Sequence, residues 1–385
     1  MSRPLKVLEI RSVRGTGGGP EKTILLGAAQ ADASRYQVTV CYLRDARDEV
    51  FGIDRRASVM DVDYVEVVER HSMDVSVWPA LRRLVRDRQI DIVHSHEYKT
   101  DLLAFLLSRW DGVRILATVH GWTGHTLKER RLYYPADKRL LARFPRLVAV
   151  SSEIKRELVR HGATPELITV VLNGIDHRAF CRDRSRESQC RSMWNLHPGD
   201  LVLGAVGRLE PQKRFDVLVD VFGQLFAADP RLRLLIAGEG SLRPALEQQI
   251  RARGLDKVCR LVGQITDMSA LHHALDLFVQ SSDYEGTPNS VLEAMAFGTP
   301  VVATSAGGTA ELVSHGVHGL IVPTNQPDRL RRAIDQAFKS GGETRERAAR
   351  ARHRIEGELS FESRMRAVEA IYDELMRGPD QRVAA

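Results

Sequence analysis

Short runs of apolar and β-branched residues alternate along this chain with stretches long enough to form helices. Gly, Pro, Asn or Asp bounds most of these runs, a pattern typical of parallel strands that helices cover on both faces. It predicts a doubly wound α/β architecture. Strands are predicted at residues 6–10, 38–43, 92–94, 114–120, 147–151 and 169–172 in the first half, and at residues 201–206, 233–237, 260–262, 277–280, 300–303 and 319–322 in the second.

The series of strands is interrupted once, between residues 173 and 200. This stretch opens with the turn-forming pair Asn173-Gly174, continues through an Arg-rich polar segment and ends near Pro198. Such a segment is typical of a connection between domains. A length of 385 residues also favours two hydrophobic cores over one.

Three parts of the chain follow from this interruption. Residues 1–175 form a predicted N-terminal domain and residues 176–357 a predicted C-terminal domain. In the remainder, residues 358–385, apolar positions recur at helical spacing between Phe361 and Met376, which predicts an amphipathic helix. We expect this helix to pack back toward the N-terminal domain.

The composition excludes several classes of protein. With 43% hydrophobic residues and only 29 Gly and 15 Pro, the chain is neither disordered nor collagen-like. No apolar run reaches the roughly 18 residues of a membrane-spanning helix. We expect no signal peptide, because a strand-like segment begins by Leu5 without a long apolar core before it. The four cysteines form no Cys-x-x-Cys pair, which argues against zinc, redox and disulfide motifs. We expect a soluble, unexported, cytoplasmic protein.

The net charge of +6 lies entirely in the first half of the chain, where residues 1–180 hold 29 Lys and Arg against 23 Asp and Glu. Within it, residues 128–146 hold seven bases and two acids interleaved with Leu, Tyr and Phe. One interpretation is peripheral attachment to an anionic membrane, at the inner face of the cell membrane. The other is a solvated helix that packs its leucines inward. Nucleic-acid binding is not expected, because the excess charge is modest and no reading module is present.

Ligands of open α/β sheets bind beyond the carboxyl ends of the strands, so the loops that follow strands are the candidate sites. The first strand leads into residues 15–23, where glycines allow a backbone to approach a phosphate or sugar. This loop is not a dinucleotide fingerprint, because Pro20 stands where the motif needs glycine. After the strand at 201–206, Arg208 and Lys213 supply a forked donor and a point charge suited to a diphosphate.

The strongest signal follows the strand at 277–280. Glu285 and Glu293 lie eight residues apart, on a loop and on the helix that opens near Pro288. The first-turn amides of that helix favour a phosphate, and carboxylates accept hydrogen bonds from sugar hydroxyls. The pair therefore suits a ligand with sugar hydroxyls on both sides of a diphosphate.

Together these motifs resemble family 4 of the retaining glycosyltransferases, or glycosyl transferases group 1, and the resemblance covers nearly the whole chain. The main matches are the glycine loop, the Gly-Arg-Leu plus Lys element and the Glu-x7-Glu element. Further matches in the same order are residues 118–121, 150–152, 173–176, 261–263 and 307–312.

The resemblance implies a GT-B fold, in which two Rossmann-like doubly wound domains face an interdomain cleft. It implies a retaining hexosyltransferase that moves a hexose or N-acetylhexosamine from a nucleotide-diphosphate sugar. The acceptor would be a glycan or a lipid-linked molecule in the synthesis of cell-surface polysaccharide or glycoconjugates. The nucleotide sugar is a substrate, so no cofactor is expected.

Roles for single residues also follow from the resemblance. Arg208 and Lys213 would stabilise the diphosphate leaving group, Glu285 would bind the transferred sugar and Glu293 the ribose hydroxyls. His120 would hydrogen-bond the sugar and help hold the cationic transition state. The remaining donor-binding residues would be Gly18, Gly19, Gly207, Gly263, Gln264, Gly286, Thr287, Asn289, Ser290 and Val291.

No metal is expected, because in such enzymes the basic pair replaces a divalent ion. His94 and His96 are expected not to converge, on the argument that alternate residues leaving a strand point to opposite faces. His272 and His273 are predicted on an exposed helix. Many family members have Gly-Phe-Gly after Glu285-Gly286, whereas residues 287–289 here read Thr-Pro-Asn, so the sugar pocket is expected to differ.

The residues alone are also compatible with two other functions. A nucleotide-sugar epimerase of the same twin-domain architecture would convert the donor without an acceptor. A non-catalytic binding subunit would use the basic N-terminal domain to hold a partner or a membrane. The Gly-Arg-Leu and Glu-x7-Glu elements disfavour the epimerase. The presence of Glu285, Arg208, Lys213 and His120 argues against the binding subunit.

Overall fold

The computed structural model describes residues 3–71, 74–122, 127–265 and 267–378. The chain divides into two compact units. Unit 1 is Met1–Val171 with Arg364–Ala385, and unit 2 is Leu172–Ser363. The first boundary lies four residues before the one predicted from the sequence.

Unit 1 is built on a sheet of seven parallel strands in the order β3-β2-β1-β4-β5-β6-β7. The chain enters at β1, moves outward to β3 and returns to β4, so the direction of winding reverses between β1 and β4. The strands are β1 (Leu5–Ser12), β2 (Tyr36–Asp45), β3 (Tyr64–Glu69), β4 (Ile92–Ser95), β5 (Arg114–Val119), β6 (Leu147–Ala149) and β7 (Ile168–Val170). The helices are α1 (Gly19–Gln30), α2 (Ile53–Val59), α3 (Val77–Arg88), α4 (Tyr98–Trp110), α5 (Tyr134–Leu141) and α6 (Ser152–Arg160), with a π-helical turn at Glu129–Tyr133 before α5.

Unit 2 repeats this design with six parallel strands in the order β10-β9-β8-β11-β12-β13. Here the winding reverses between β8 and β11. The strands are β8 (Leu201–Val206), β9 (Leu232–Ala237), β10 (Cys259–Gly263), β11 (Leu277–Gln280), β12 (Val301–Thr304) and β13 (Leu320–Val322). The helices are α7 (Glu187–Met193), α8 (Phe215–Ala228), α9 (Arg243–Ala252), α10 (Met268–Ala274), α11 (Asn289–Ala296), α12 (Thr309–Leu312), α13 (Pro327–Lys339) and α14 (Gly341–Glu356).

The last helix, α15 (Phe361–Arg377), supplies part of the core of unit 1. Its residues Val368, Ile371 and Tyr372 are buried with Val7 and Ile92 of the sheet. The opposite sheet face packs against a second core, since successive side chains of a strand point to opposite faces. The apolar face of the amphipathic helix predicted from Phe361 onward therefore packs against the unit 1 sheet.

The predicted α/β class and all twelve predicted strands are confirmed, with ends that differ by at most two residues. The sequence pattern missed β3, which pairs with β2 at the edge of the unit 1 sheet. Its sequence, YVEVVE, places carboxylates among the apolar residues. Glu66 accepts from Arg44 at 3.1 Å, so an edge strand tolerates a charge that a central strand would exclude.

Among the described residues, every helix is too short or too polar to cross a bilayer.

Candidate active site

The predicted site residues of unit 2 follow β8, β10 and β11. Gly207, Arg208 and Lys213 lie after β8, and Gly263 and Gln264 lie at and after the end of β10. The loop after β11 and the helix α11 carry the others, namely Glu285, Gly286, Thr287, Asn289, Ser290, Val291 and Glu293. Since β8 and β11 are neighbours at the point where the winding reverses, their loops meet at one edge of the sheet.

Lys213 and Glu285 form an ion pair across this edge. Lys213 Nζ donates to Glu285 Oε1 at 2.6 Å, and only 15% and 10% of the two side chains are exposed. Ser282 Oγ donates to the same oxygen at 2.6 Å. An ammonium group and a carboxylate are thereby held side by side, with little water to screen them.

The loop that carries Lys213 is packed tightly against its neighbours. A Cβ built on Gly207 would lie 3.1 Å from Lys213 Cε, and one built on Gly238 would lie 1.9 Å from the Gly207 carbonyl oxygen. Leu209 is fully buried and anchors the loop, while Arg208 between them is exposed. The glycines therefore let the backbone and Lys213 approach, and Arg208 extends into solvent.

Gly307 passes so close to Glu285 that no side chain fits between them. Its φ is +51°, and a Cβ built on it would lie 1.8 Å from the Glu285 carbonyl oxygen. The next amide, Gly308 N–H, donates to Gly286 O at 2.8 Å. The start of the segment 307–312 thus fixes the backbone of Glu285 and Gly286, a role that its sequence alone did not reveal.

Asn173 holds the start of α11. Its Nδ2 donates to Thr287 O at 3.1 Å and to Asn289 Oδ1 at 3.2 Å. Pro288 occupies the N-cap position, and the N-terminal end of a helix carries a partial positive charge that favours anions. The Asn-Gly pair, predicted as a turn, therefore also positions the loop that carries Glu285.

Glu293 is buried on α11, with Oε2 3.9 Å from His272 Nε2. His272 and His273 are themselves buried, so their predicted exposure was wrong. His273 accepts from the Asp183 amide at 2.8 Å and contacts Ser269 O at 2.6 Å. These hydrogen bonds satisfy the His273 ring, which is why this polar side chain can lie in a short interior helix.

In unit 1, Gly18 and Gly19 lie at the start of α1, and the buried Glu21 organises their loop. Gly18 N–H and Arg11 Nε both donate to the Glu21 carboxylate at 2.5 Å. A Cβ on Gly17, where φ is +70°, would lie 2.5 Å from Glu21 Cγ. Burial raises the pKa of Glu21, but Arg11 and the Gly18 amide outweigh it, so the pKa lies below its ordinary value.

His120 follows β5 and contacts a second histidine, His96. Its Nε2 lies 3.2 Å from His96 Nδ1. Burial lowers the pKa of His120 well below its ordinary value, and the charge of Arg11 acts in the same direction. His120 is therefore neutral at physiological pH.

His94 and His96 do converge, contrary to the sequence argument. Residues two apart in a strand lie on the same face, and the two rings stack with centroids 4.4 Å apart. Glu9 of β1 joins them, and the three residues offer possible metal-ligand atoms within 4.8 Å of one another. These atoms already make hydrogen bonds, since Tyr372 donates to Glu9 Oε1 at 2.9 Å and Glu9 Oε2 contacts His96 Nε2.

One part of the basic stretch 128–146 packs into the core, and another part is exposed to solvent. Leu141 and Phe144 are buried in the unit 1 core, as expected of a helix that packs inward. Leu132, however, is 61% exposed, and Arg131 and Arg139 of the same stretch are exposed too. Part of the stretch therefore presents an apolar side chain among bases.

Family models match both halves of the chain. The model described as Glycosyltransferase Family 4 matches residues 17–179, and the model described as Glycosyl transferases group 1 matches residues 189–354.

Individual proteins give the same result. The chain is 29% identical over 308 residues to a D-inositol 3-phosphate glycosyltransferase of Streptomyces bingchenggensis, covering 75% of this chain and 67% of that protein. It is 27% identical over 263 residues to an Escherichia coli UDP-Gal:alpha-D-GlcNAc-diphosphoundecaprenol alpha-1,3-galactosyltransferase, covering 66% and 68%. The crystal structure of Anabaena Alr3699/HepE with UDP and glucose superposes with a TM-score of 0.85 at 20% identity, covering 96% and 100%. The predicted pair of Rossmann-like domains and the GT-B fold are thus confirmed.

Proposed function

The chain belongs to glycosyltransferase family 4, and on that basis we propose that it is a retaining transferase of nucleotide sugars. It moves a hexose or N-acetylhexosamine to a glycan or lipid-linked acceptor in the synthesis of cell-surface polysaccharide or glycoconjugates. The relatives support this proposal, since one carries UDP-Gal and a diphosphoundecaprenol acceptor in its name.

The observation that carries the proposal is the nearly buried Lys213–Glu285 pair, in which Glu285 lies four residues ahead of α11. The Lys213 ammonium group and the α11 N-terminus both favour the negative charge of a diphosphate. The Glu285 carboxylate accepts hydrogen bonds from sugar hydroxyls. A nucleotide sugar needs positive groups at its diphosphate and, next to them, a hydrogen-bond acceptor for the hydroxyls of the sugar.

The other site residues take the roles that the family resemblance implies. Arg208, exposed beside Gly207, closes on the diphosphate, and Glu293 binds the ribose. Gly263 and Gln264 contact the base, and His120 contacts the transferred sugar.

We propose that the configuration at the anomeric carbon is retained through front-face displacement. The bond from the anomeric carbon to the β-phosphate oxygen breaks, and the bond to the acceptor oxygen forms on the same face. The acceptor hydroxyl proton moves to the departing phosphate oxygen. Arg208 and Lys213 stabilise the charge that grows on the leaving group.

The donor is identified by a thermal-shift screen of UDP-, GDP- and ADP-sugars. A ligand at about one hundred times its dissociation constant should stabilise the protein by about 2.7 kcal/mol. Arg208→Ala should remove most of the shift caused by the preferred nucleotide sugar, because a forked cation is lost from the diphosphate. An unchanged shift in this variant would place the diphosphate elsewhere, and no shift with any nucleotide would reject the proposal.

We expect sugar transfer to survive EDTA. In this mechanism Arg208 and Lys213 carry the charge-stabilising role that a divalent ion has in other transferases. The check is the rate of product formation before and after chelation and gel filtration. Complete loss of transfer, restored by added Mn²⁺ or Mg²⁺, would contradict a metal-independent mechanism.

We further propose that the exposed part of residues 128–146 contacts an anionic membrane. Leu132 is 61% exposed, and Leu127, one residue before the stretch, is 68% exposed. Arg131 and Arg139 of the stretch are also exposed. Apolar side chains inserted at the headgroup level and bases near anionic lipid together give salt-sensitive peripheral binding. A membrane position would suit a lipid-linked acceptor.

Cosedimentation at low salt with vesicles of phosphatidylglycerol and phosphatidylcholine tests this contact. The charge reversal Arg131→Glu with Arg139→Glu should lower bound protein by about tenfold or more, at roughly 1 kcal/mol for each base. The matched control is Arg329→Glu with Arg332→Glu, which makes the same change in charge on exposed residues of unit 2. Equal losses in the two double variants would show a general charge effect and reject the proposed surface.

Product analysis separates the transferase from the two alternatives. An epimerase would convert the donor sugar without an acceptor, and a binding subunit would neither transfer nor hydrolyse it.

A further inference from the structure

We infer that His96 is a positioning residue that holds His120 in the neutral tautomer with its proton on Nε2, so that His120 Nδ1 is a hydrogen-bond acceptor. The inference deepens the role of His120 and rests on the proposed function only for its effect on catalysis. The arrangement is a chain of three side chains, Glu9, His96 and His120, all in unit 1.

The chain begins at Glu9, whose Oε2 contacts His96 Nε2. Burial raises the pKa of Glu9, but His94 and His96 outweigh it and hold the pKa well below its ordinary value. The carboxylate is therefore ionised and can only accept hydrogen bonds. It follows that His96 carries a proton on Nε2.

The other ring nitrogen of His96 has no proton. Burial lowers the pKa of His96 to about 4, so the ring is neutral at physiological pH and holds a single proton. Its Nδ1 is then an acceptor that faces His120 Nε2 at 3.2 Å. His120 must donate from Nε2, and because it is also neutral, its Nδ1 keeps the lone pair.

The hydrogen bonds of the neighbouring Tyr372 and His94 favour this direction of donation from His120 to His96 and from His96 to Glu9. Tyr372 donates to the second oxygen of Glu9 at 2.9 Å, which leaves the first oxygen to His96. His94 lies in the same stack and bonds Tyr372 and Thr118 with its two ring nitrogens, each at 2.7 Å. Its Nδ1 also lies 3.2 Å from Glu9 Oε1, the oxygen that does not contact His96. The rings of His96 and His120 have centroids 5.5 Å apart and an interplanar angle of 28°.

The tautomer decides what His120 can do to a sugar. An Nδ1 lone pair accepts from a sugar hydroxyl and is compatible with the positive charge that develops on the sugar ring. A proton on Nδ1 would instead oppose that charge. The wrong tautomer of a catalytic histidine has a large cost in kcat in other enzymes.

The test is long-range ¹H–¹⁵N correlation of ¹⁵N-histidine-labelled protein at neutral pH without substrate, with His120 assigned by the signals lost in His120→Gln. The expected result is a protonated Nε2 and an unprotonated Nδ1. His96→Leu should give a mixture of His120 tautomers and lower kcat by about 10- to 100-fold, the loss typical when a metal-ligating histidine loses the partner that orients it. Nucleotide affinity should not change.

Two further variants separate positioning from stability. His96→Gln keeps one donor for Glu9 and one acceptor for His120, so it should restore the tautomer and most of kcat. His94→Gln is the matched control, because His94 is equally buried in the same stack and also contacts Glu9, with Nδ1 3.2 Å from Oε1, while its hydrogen bonds go to Tyr372 and Thr118 rather than to His120. It should lower stability and leave the His120 tautomer unchanged.

A proton on Nδ1 of His120 in the native protein would overturn the inference, as would an unchanged tautomer in His96→Leu. A stoichiometric divalent metal that shifts the His94 and His96 signals would overturn it too, because metal ligation would remove the proton from His96 Nε2. If His96→Leu does not fold, the His120 tautomer measured in the native protein is by itself the test of the inference. Protein with the expected tautomer but no transferase activity would reject the proposed function and leave the inference standing.

Discussion

Lys213→Ala should lower kcat/KM for sugar transfer by about 10³-fold, the loss typical of removing one preorganised group that stabilises a developing oxyanion. Lys213 Nζ is held 2.6 Å from Glu285 Oε1, with 15% of the side chain exposed. Its charge therefore acts where little water screens it. Steady-state kinetics with the donor found in the thermal-shift screen would measure the effect.

The same substitution removes a structural ion pair, so stability and catalysis have to be separated. Loss of one partner from a nearly buried pair costs about 3 kcal/mol, because the other charge is left uncompensated. Combining Lys213→Ala with Glu285→Gln removes that charge and should recover most of the unfolding free energy. Transfer should remain low in the double variant, since the Lys213 ammonium group no longer meets the diphosphate beside Arg208.

Lys138 offers a matched control. Its Nζ donates to Glu157 Oε1 at 2.6 Å, and 16% of its side chain is exposed. Lys138→Ala therefore removes a comparable ion pair from unit 1 and should destabilise the protein without a large loss of transfer to a water-soluble acceptor. If Lys138→Ala and Lys213→Ala reduced transfer equally, the loss would reflect stability, and the proposed role of Lys213 would be rejected.

The strands and the loops that follow them could be predicted from the sequence because they depend on local pattern. Parallel strands covered on both faces read as continuous apolar runs, and the polar residues that follow them stand out. Glu285 and Lys213 were found in this way. The edge strand β3 was missed because two of its six residues are carboxylates.

Contacts between distant segments could not be predicted in the same way. Glu9 and His96 are 87 residues apart, and only the register of β1 beside β4 brings them together. The single carboxylate of the first strand was the available signal. His272 and His273 were misplaced for a related reason, because their burial depends on the Asp183 amide and on Phe297, which stacks on His272 at 5.0 Å.

Gly307→Ala should reduce transfer by about 100-fold or more, although Gly307 acts only through its packing against the backbone of Glu285. Its Cβ would lie 1.8 Å from the Glu285 carbonyl oxygen, and backbone cannot yield as a flexible side chain can. The loop that carries Glu285 would have to move by about 1 Å, a displacement that typically costs about 10²-fold in rate. We expect a loss of unfolding free energy of about 3 kcal/mol, from the positive φ together with the overlap.

Gly254→Ala separates these two causes. Gly254 has a similar φ of +66°, but a Cβ there would meet nothing within 4 Å. The control should therefore show only the left-handed cost of about 1 kcal/mol, with transfer unchanged. Chemical denaturation and steady-state kinetics of both variants would decide. If Gly307→Ala lost no more stability and activity than Gly254→Ala, the segment 307–312 would not fix the Glu285 loop. The position of that carboxylate would then have to depend on Lys213, Ser282 and Asn173.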